Sequence, residues 1–276
     1  MKIRILGSGG GEGFPAAFCC CEHCETARKL GGKSLRSLSQ SLIDDDLLID
    51  LPMDTADHCR RFGVRLGQIE NILITHSHED HYIPGIFANR GSVYAHNMKY
   101  ETVNIYGPKN LKEICDDAPM EKGIRDHIHF EALEFGVPVQ IGTYKVTPLK
   151  ALHAPDLGSM NYIIERDGKT ILYLLDSGYP TKETLAYLQE LGKRFNLVVM
   201  DATAGTTVPF GFHYHMGYEE NKMLKKELES LGLTDGNTQF VATHITHNLS
   251  EHHEAVEAIF AGTGIQVAYD GWEAEV

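Results

Sequence analysis

The chain has 276 residues, 42% apolar and 23% charged, a globular composition that excludes collagen, coiled coil and disorder. Its 25 lysines and arginines face 38 aspartates and glutamates, a net charge of -13 that works against broad capture of a nucleic-acid backbone. No run approaches the roughly 18 apolar residues of a membrane helix and no signal-peptide core opens the chain, so the sequence reads as soluble and cytoplasmic, with no membrane partner.

Lys2 to Leu6 alternates polar and apolar residues as a half-buried strand does, then enters the loop Gly7-Ser8-Gly9-Gly10-Gly11-Glu12-Gly13. A dinucleotide-binding turn needs a helix directly after its glycines; Phe14-Pro15 and a run of cysteines follow instead, which argues against a nucleotide site. Four of the six cysteines, Cys19, Cys20, Cys21 and Cys24, fall within six positions, a clustering that suits a metal better than a disulfide framework. The trio Cys19-x-Cys21-x-x-Cys24 offers three thiolates for a closed tetrahedral zinc site once a fourth ligand arrives from elsewhere. His247 is the preferred fourth ligand, because it would pin the glycine-rich loop; His23 and Cys20 compete with it. Cys59 and Cys115 read as inert buried thiols. Lys33, Arg36, Ser37, Ser39 and Ser41 follow, and they offer a patch for a substrate phosphate.

Ser41 to Ile43 and Leu47 to Asp50 read as a hairpin around the acidic turn Asp44 to Asp46. Residues 53–62 read as a helix, Ile72 to Ile74 as a buried strand, and 92–107 as mainly strand, leading through Gly107-Pro108 into a short helix. Strands are expected at 127–131, 137–152, 160–166 and 169–175, with Asp167-Gly168 as a hairpin turn. Helices at 181–192, 218–231 and 249–260 then alternate with strands at 196–201 and 239–243. No linker divides the chain, so one α/β domain over 1–276 is expected, two sheets covered by helices with a zinc loop at about 19–24.

Histidine is unusually frequent, with 15 copies, and imidazole is the commonest metal ligand. Directly after the strand ending at Thr75 comes His76-Ser77-His78-Glu79-Asp80-His81, four potential ligands in six residues. In an extended segment residues two apart project the same way, so His76 and His78 can reach one ion while Asp80 and His81, past the bend, reach another. The spacing points to two metals. His23, His58, His96, His127, His129, His252 and His253 have no such pattern, and most of them read as surface groups.

The run His-x-His-x-Asp-His after an apolar strand resembles the signature of the metallo-β-lactamase superfamily of metal-dependent hydrolases. The resemblance implies a four-layer αββα sandwich with metals at one edge, and further ligands downstream: His153, Asp176 and His244, each at a strand end. It implies His76, His78 and His153 on one ion, Asp80, His81 and His244 on the other, and Asp176 bridging. Such nitrogen and oxygen donors suit zinc, manganese or iron. Asp50 and Asp201, also at strand ends, read as supporting or structural groups.

A narrower resemblance covers nearly the whole chain: Leu6-Gly7-Ser8-Gly9-Gly10, Gly13-Phe14-Pro15, the cysteine trio, Thr75 to His81, Ile105-Tyr106-Gly107-Pro108, Val146-Thr147-Pro148-Leu149 and Thr243-His244-Ile245-Thr246-His247. These segments look like the phosphoribosyl 1,2-cyclic phosphate phosphodiesterase family of bacterial phosphonate breakdown. That likeness implies two catalytic divalent cations, often manganese, one structural zinc, and a histidine general acid. His215 matches that position best and His213 is the alternative; the chain departs from the family here, with Tyr214-His215-Met216-Gly217 where Asn-His-Asn-Asp is common. The expected activity is opening of a small cyclic phosphodiester, phosphoribosyl 1,2-cyclic phosphate or a 2′,3′-cyclic nucleotide, with Asp80 orienting the attacking water and His215 protonating the leaving oxygen. A homodimer is a family-level expectation. The glycine-rich opening and cysteine trio also resemble a pyrroloquinoline-quinone biosynthesis protein of the same superfamily, and related sandwiches cleave RNA, esters and thioesters. A metal-stabilised binding module is the non-enzymatic alternative.

Overall fold

The computed structural model describes residues 1–206 and 214–276. Six strands, β1 (Lys2–Gly7), β2 (Gln40–Ile43), β3 (Leu47–Ile49), β4 (Asn71–Leu73), β5 (Val103–Gly107) and β6 (Ile128–Ala132), pair in that order into one sheet. The next seven, β7 (Val139–Ile141), β8 (Tyr144–Lys150), β9 (Met160–Arg166), β10 (Lys169–Leu174), β11 (Leu197–Asp201), β12 (Gln239–Thr243) and β13 (Ile265–Val267), pair in that order into a second. The last, β14 (Trp272–Glu275), returns to the first sheet beside β1. Each sheet is antiparallel over its first four positions and parallel over its last four, counting β3 and β10 in both halves.

Side-chain alternation builds the layers. Along β10 and its extension, Ile171, Tyr173 and Leu175 face a core between the sheets that includes Ile3, Ile5, Ile49 and Tyr162. Leu172 and Leu174 point the other way, into a second core completed by helices α5 (Lys182–Leu191), α6 (Tyr218–Ser230) and α7 (His253–Phe260) through Leu185, Leu188, Leu224, Leu228 and Val256. Leu48, Ile72, Ile74 and Ile105 form a third with Val64, Leu111 and Cys115 on the outer face of the first sheet, beside α2 (Thr55–Phe62) and α3 (Leu111–Asp117). Each fully buried Leu, Ile or Val contributes roughly 1.5–3 kcal/mol, so three apolar layers hold four structural ones. The result is the αββα sandwich that the resemblance implied.

Because β3 and β4 run parallel, as do β10, β11 and β12, their carboxyl ends gather at one edge. Asp50 after β3 and Asp176 after β10 hold equivalent places in the two sheets, and both take a left-handed backbone, at φ 66° and 49°. No described helix is long and apolar enough to cross a membrane.

Several expectations need correction. Within 92–107 only Val103–Gly107 is strand; residues 92–102 are turns and bends in which Val93 and Tyr94 stay exposed, since nothing offers them a ladder partner. The 137–152 stretch divides into β7 and β8 at Gly142, whose φ of 55° makes the turn. Helix α1 (Glu22–Leu30), directly after Cys21, and the short strands β13 and β14 were not anticipated. Nor is the phosphate patch open. Arg36 is buried, and its guanidinium donates to Ser8 Oγ (2.9 Å) and Ala268 O (2.6 Å) and lies 3.0 Å from His253 Nδ1. Ser37 binds Asp270 and His58, and Ser41 binds Tyr173. His58 and His253, read as surface groups, are fully buried.

At Gly7 the register of β1 on β2 shifts, and a Cβ there would lie 1.9 Å from Leu38 O and 2.9 Å from His58 Cε1. Gly7→Ala should therefore cost about 2–3 kcal/mol, read as a lower urea midpoint at unchanged slope. An unchanged midpoint would show that the loop yields freely.

Candidate metal centre

The site grows from strand ends. After β4 ends at Leu73 the chain bends at Thr75 and again at His78, where the amides of His81 and Tyr82 both donate to His78 O and turn Asp80 and His81 away from the first pair. The glycine-rich loop closes over them. Gly10 N donates to Ile245 O (3.3 Å), Ile245 N to Ser8 O (3.0 Å), and a Cβ on Gly10 would stand 3.1 Å from the His244 ring. Glycine here permits close backbone approach to His244.

Two donor sets share one oxygen. In the first, Asp176 Oδ2 lies 3.1 Å from His76 Nε2 and 3.6 Å from His153 Nε2, while His78 Nδ1 is 2.9 Å from His76 Nε2 and 3.1 Å from His153 Nε2. In the second, His81 Nε2 is 3.0 Å from Asp176 Oδ2, 3.2 Å from Asp80 Oδ2 and 3.2 Å from His244 Nε2. His244 Nε2 stands 3.8 Å from each carboxylate. Donors about 2.0–2.2 Å from a shared ion stand roughly 3–3.5 Å from one another, so both sets are dimensioned for a cation.

The outward ring nitrogens support the fit. His81 Nδ1 donates to Asp50 Oδ2 (2.8 Å), His244 Nδ1 to Thr203 Oγ1 (2.6 Å) and His153 Nδ1 to Tyr214 O (3.3 Å). With those nitrogens protonated, the Nε2 lone pairs face inward at each other, an arrangement that a positive centre resolves. Asp50 also accepts from Thr75 N and Thr75 Oγ1, which fixes the carboxylate that orients His81. Burial alone would raise the Asp80 carboxyl, but His81 and His244 hold it far below the ordinary range, so it is ionised. Burial pushes His153 down to about 4, leaving it neutral as a ligand must be.

His215 comes to the same edge. Its Nδ1 is 3.0 Å from both Asp176 Oδ1 and Asp201 Oδ2. Burial pulls this imidazole down, but Asp201 and then Asp176 outweigh it and raise the pKa to about 10. Asp201 is itself fixed by the amides of Ser177 (3.2 Å), Thr203 (2.9 Å) and Met216 (3.3 Å). His213 lies outside the described residues.

The four ligand atoms of Cys19, Cys21, Cys24 and His247 lie within 4.8 Å of one another. Helix α1 starts just after Cys21, so Cys21 and Cys24, three apart across its first turn, face the same way. Cys21 Sγ is 3.6 Å from His247 Nδ1, and a hydrogen bond from the Cys24 backbone, then His247, lowers this thiol to about 6. Burial raises Cys24 to about 12. The competitors for the fourth place stand apart: Cys20 is exposed, and His23 pairs with Glu251 at 3.2 Å. His247 Nε2 reaches Glu12 Oε1 (3.1 Å), tying the cysteine cluster to the glycine-rich loop. Glu12, Thr75 and Thr203 were missed by the sequence reading. The available signal for the threonines was a small hydroxyl residue beside an acidic or histidine strand end.

Among known proteins, residues 47–245 match the β-lactamase superfamily domain model. Ribonuclease Z of Leuconostoc mesenteroides is 27% identical over 60% of this chain and 49% of its own length. The chain spans about half the length of the curated relatives it matches. Two of the solved structures that share the fold illustrate the likeness, one being a diphosphatase from the PhnP family, at TM-score 0.72 and 20% identity, covering 100% of this chain and 97% of that one. The other is zinc-bound PqqB from Methylobacterium extorquens, at TM-score 0.71 and 16% identity, covering 100% of both chains.

Proposed function

The chain belongs to the β-lactamase superfamily of metal-dependent hydrolases, and on that premise we propose that it opens a small cyclic phosphodiester, phosphoribosyl 1,2-cyclic phosphate or a 2′,3′-cyclic nucleotide. The proposal takes the chain as one cytoplasmic domain with two divalent cations, manganese or zinc with iron as the alternative, and one structural zinc. One observation carries it: a single carboxylate oxygen, Asp176 Oδ2, stands 3.0–3.6 Å from His76, His81 and His153 across two donor sets. His76, His78, His153 and Asp176 would hold one cation, and Asp80, His81, His244 and Asp176 the other. When bound, such a pair polarises a phosphoryl oxygen and lowers the pKa of water.

The protein's own groups supply the rest. Asp80, whose Oδ2 is 3.2 Å from His81 Nε2, can accept a hydrogen bond from the attacking water and orient it. His215 Nδ1 donates to the two carboxylates, which fix the ring and keep it charged, and the second proton, on Nε2, is the one delivered to the departing sugar oxygen. Cys19, Cys21, Cys24 and His247 hold zinc and anchor the glycine-rich loop against His244.

Phosphorus NMR of the manganese-loaded protein with both cyclic phosphates tests the activity. Ring opening to a phosphomonoester supports it, and silence on both with metal bound turns the reading towards ester hydrolysis or a cofactor-pathway role. His215→Ala should lower kcat about 10²- to 10⁴-fold at full metal content. The proton sits on an imidazole raised above its usual 6.5, so activity persists through neutral pH and falls only as pH rises through the raised value. Asp201→Asn should move that alkaline limb downward; an unmoved limb would remove His215 from the acid role.

A further inference from the structure

A cleft of about 490 Å³ opens on the outer face of the first sheet, lined by α2 and by residues from 86–98. Leu51, Ile69, Ile72 and Val103, all from the outer core of that sheet, give it an apolar floor. Arg65, Arg90 and His96 also line it, and none of the described lining residues is an aspartate or glutamate. That balance is the reverse of the chain as a whole, with its 38 acidic groups against 25 basic ones.

Arg90 is the unusual member. Its side chain is half-buried, and Nη2 donates to Tyr100 O (3.0 Å) and Glu101 O (2.6 Å), which fixes the guanidinium without neutralising it. Burial pulls its pKa down, and no neighbouring carboxylate pulls it back. Glu101 and Glu121 border a separate hollow on which Arg90 also stands, yet neither offsets its charge. Arg36 shows the difference, because burial lowers that guanidinium too but Asp270 opposes the loss. Nor are the spare donors sealed in. Arg36 Nε is buried without a partner, whereas Nε and Nη1 of Arg90 have no hydrogen-bond partner among the described residues and remain open to solvent. A partly desolvated cation beside an apolar surface, with N–H donors unused and reachable, is satisfied by an anion.

The floor limits what that anion is attached to. An apolar body fills such a cleft, and one negative charge balances one guanidinium. A doubly charged phosphate would bring an excess into a site whose other arginine, Arg65, is exposed and hydrated. We propose that this cleft binds a monocarboxylate carried on an apolar body, with Arg90 holding the carboxylate and Arg65 at the charged rim. The site is separate from the metal centre, although its floor is tied to it: Leu51 N donates to His81 O (2.7 Å) and Ile83 N to Leu51 O (2.8 Å). The inference does not rest on the phosphodiesterase reading.

4-Phenylbutyrate is the probe, titrated into the zinc-loaded protein and followed by amide chemical shifts. Saturable shifts centred on 64–69, 86–98 and 103 are expected, and acetate, which has the charge without the body, should move them little. 4-Phenylbutanol, the same body without the charge, should bind about tenfold more weakly than the acid. Arg90→Met keeps the apolar stem and should erase that difference. Arg65→Gln, at an exposed position safe for folding, should weaken the acid several-fold and leave the alcohol unchanged, so the charge is tested even if Arg90→Met fails to fold. 4-Phenylbutyl phosphate should bind no tighter than the acid; tighter binding would remove the carboxylate assignment. Acid and alcohol of equal affinity for the normal protein, saturable shifts confined to 76–81 and 244, no saturable shifts, or an undiminished preference for the acid in Arg90→Met would overturn the proposal.

Discussion

Asp176→Asn should strip the site of both proposed cations and reduce the proposed phosphodiester hydrolysis by roughly 10³-fold or more, beyond the 10–100-fold typical of groups that only support a ligand. Asp176 Oδ2 lies within 3.6 Å of the inner nitrogens of His76, His81 and His153 together, and the carboxylate is held ionised, well below its usual range, against its burial by His244 and His215. Asparagine keeps the volume and tolerates the left-handed backbone at φ 49°, so the fold should survive. What it removes is the negative charge that both donor sets share. Metal content per chain by mass spectrometry, circular dichroism and hydrolysis rate are the three readings. A folded variant retaining two cations and most of its rate would refute the shared-oxygen arrangement.

The centre was partly legible because His76, His78, Asp80 and His81 are contiguous, and period-two projection alone divides them into two pairs. His153, Asp176 and His244 are scattered over ninety residues and followed only from resemblance; the structure brings them to the same edge because parallel β10 and β12 end there. The layers were legible through alternation along strands such as Ile171 to Leu175. Arg36 was not, because its partners Ala268 and His253 lie more than two hundred positions away and no local pattern marks a buried guanidinium. Arg36, Ser8 and Ser37 join Asp270 in a network that fixes the root of the glycine-rich loop, so a basic and serine-rich stretch that suggested phosphate binding instead positions backbone. Helix α1 escaped because its mean composition is polar and its buried face is only Cys24 and Ala27.

Cys24→Ser should release one zinc per chain and lower thermal stability, and it should also slow hydrolysis although every residue proposed to hold the catalytic cations is intact. Cys24 is fully buried in the first turn of α1 and packs in the outer core of the second sheet, so the zinc it would share with Cys19, Cys21 and His247 joins three segments. The loss will fall well short of the ~10–16 kcal/mol of zinc-finger peptides that fold only with metal, because the three apolar layers persist without the site. A loss of about 3 kcal/mol, at ~2–4 °C per kcal/mol for a chain near this size, lowers the melting temperature by roughly 6–12 °C. The kinetic effect follows from geometry. His247 holds Glu12, Glu12 sits beside Gly11, and Gly11 approaches Asp80 while Gly10 abuts His244, so a released His247 loosens the backbone that packs against Asp80 and His244. Cys20→Ser, at the exposed neighbour outside the cluster, is the control and should leave zinc, melting temperature and rate unchanged. Full zinc content and an unshifted transition in Cys24→Ser would exclude Cys24 from the site, and a normal rate in the zinc-free protein would separate the cysteine cluster from catalysis.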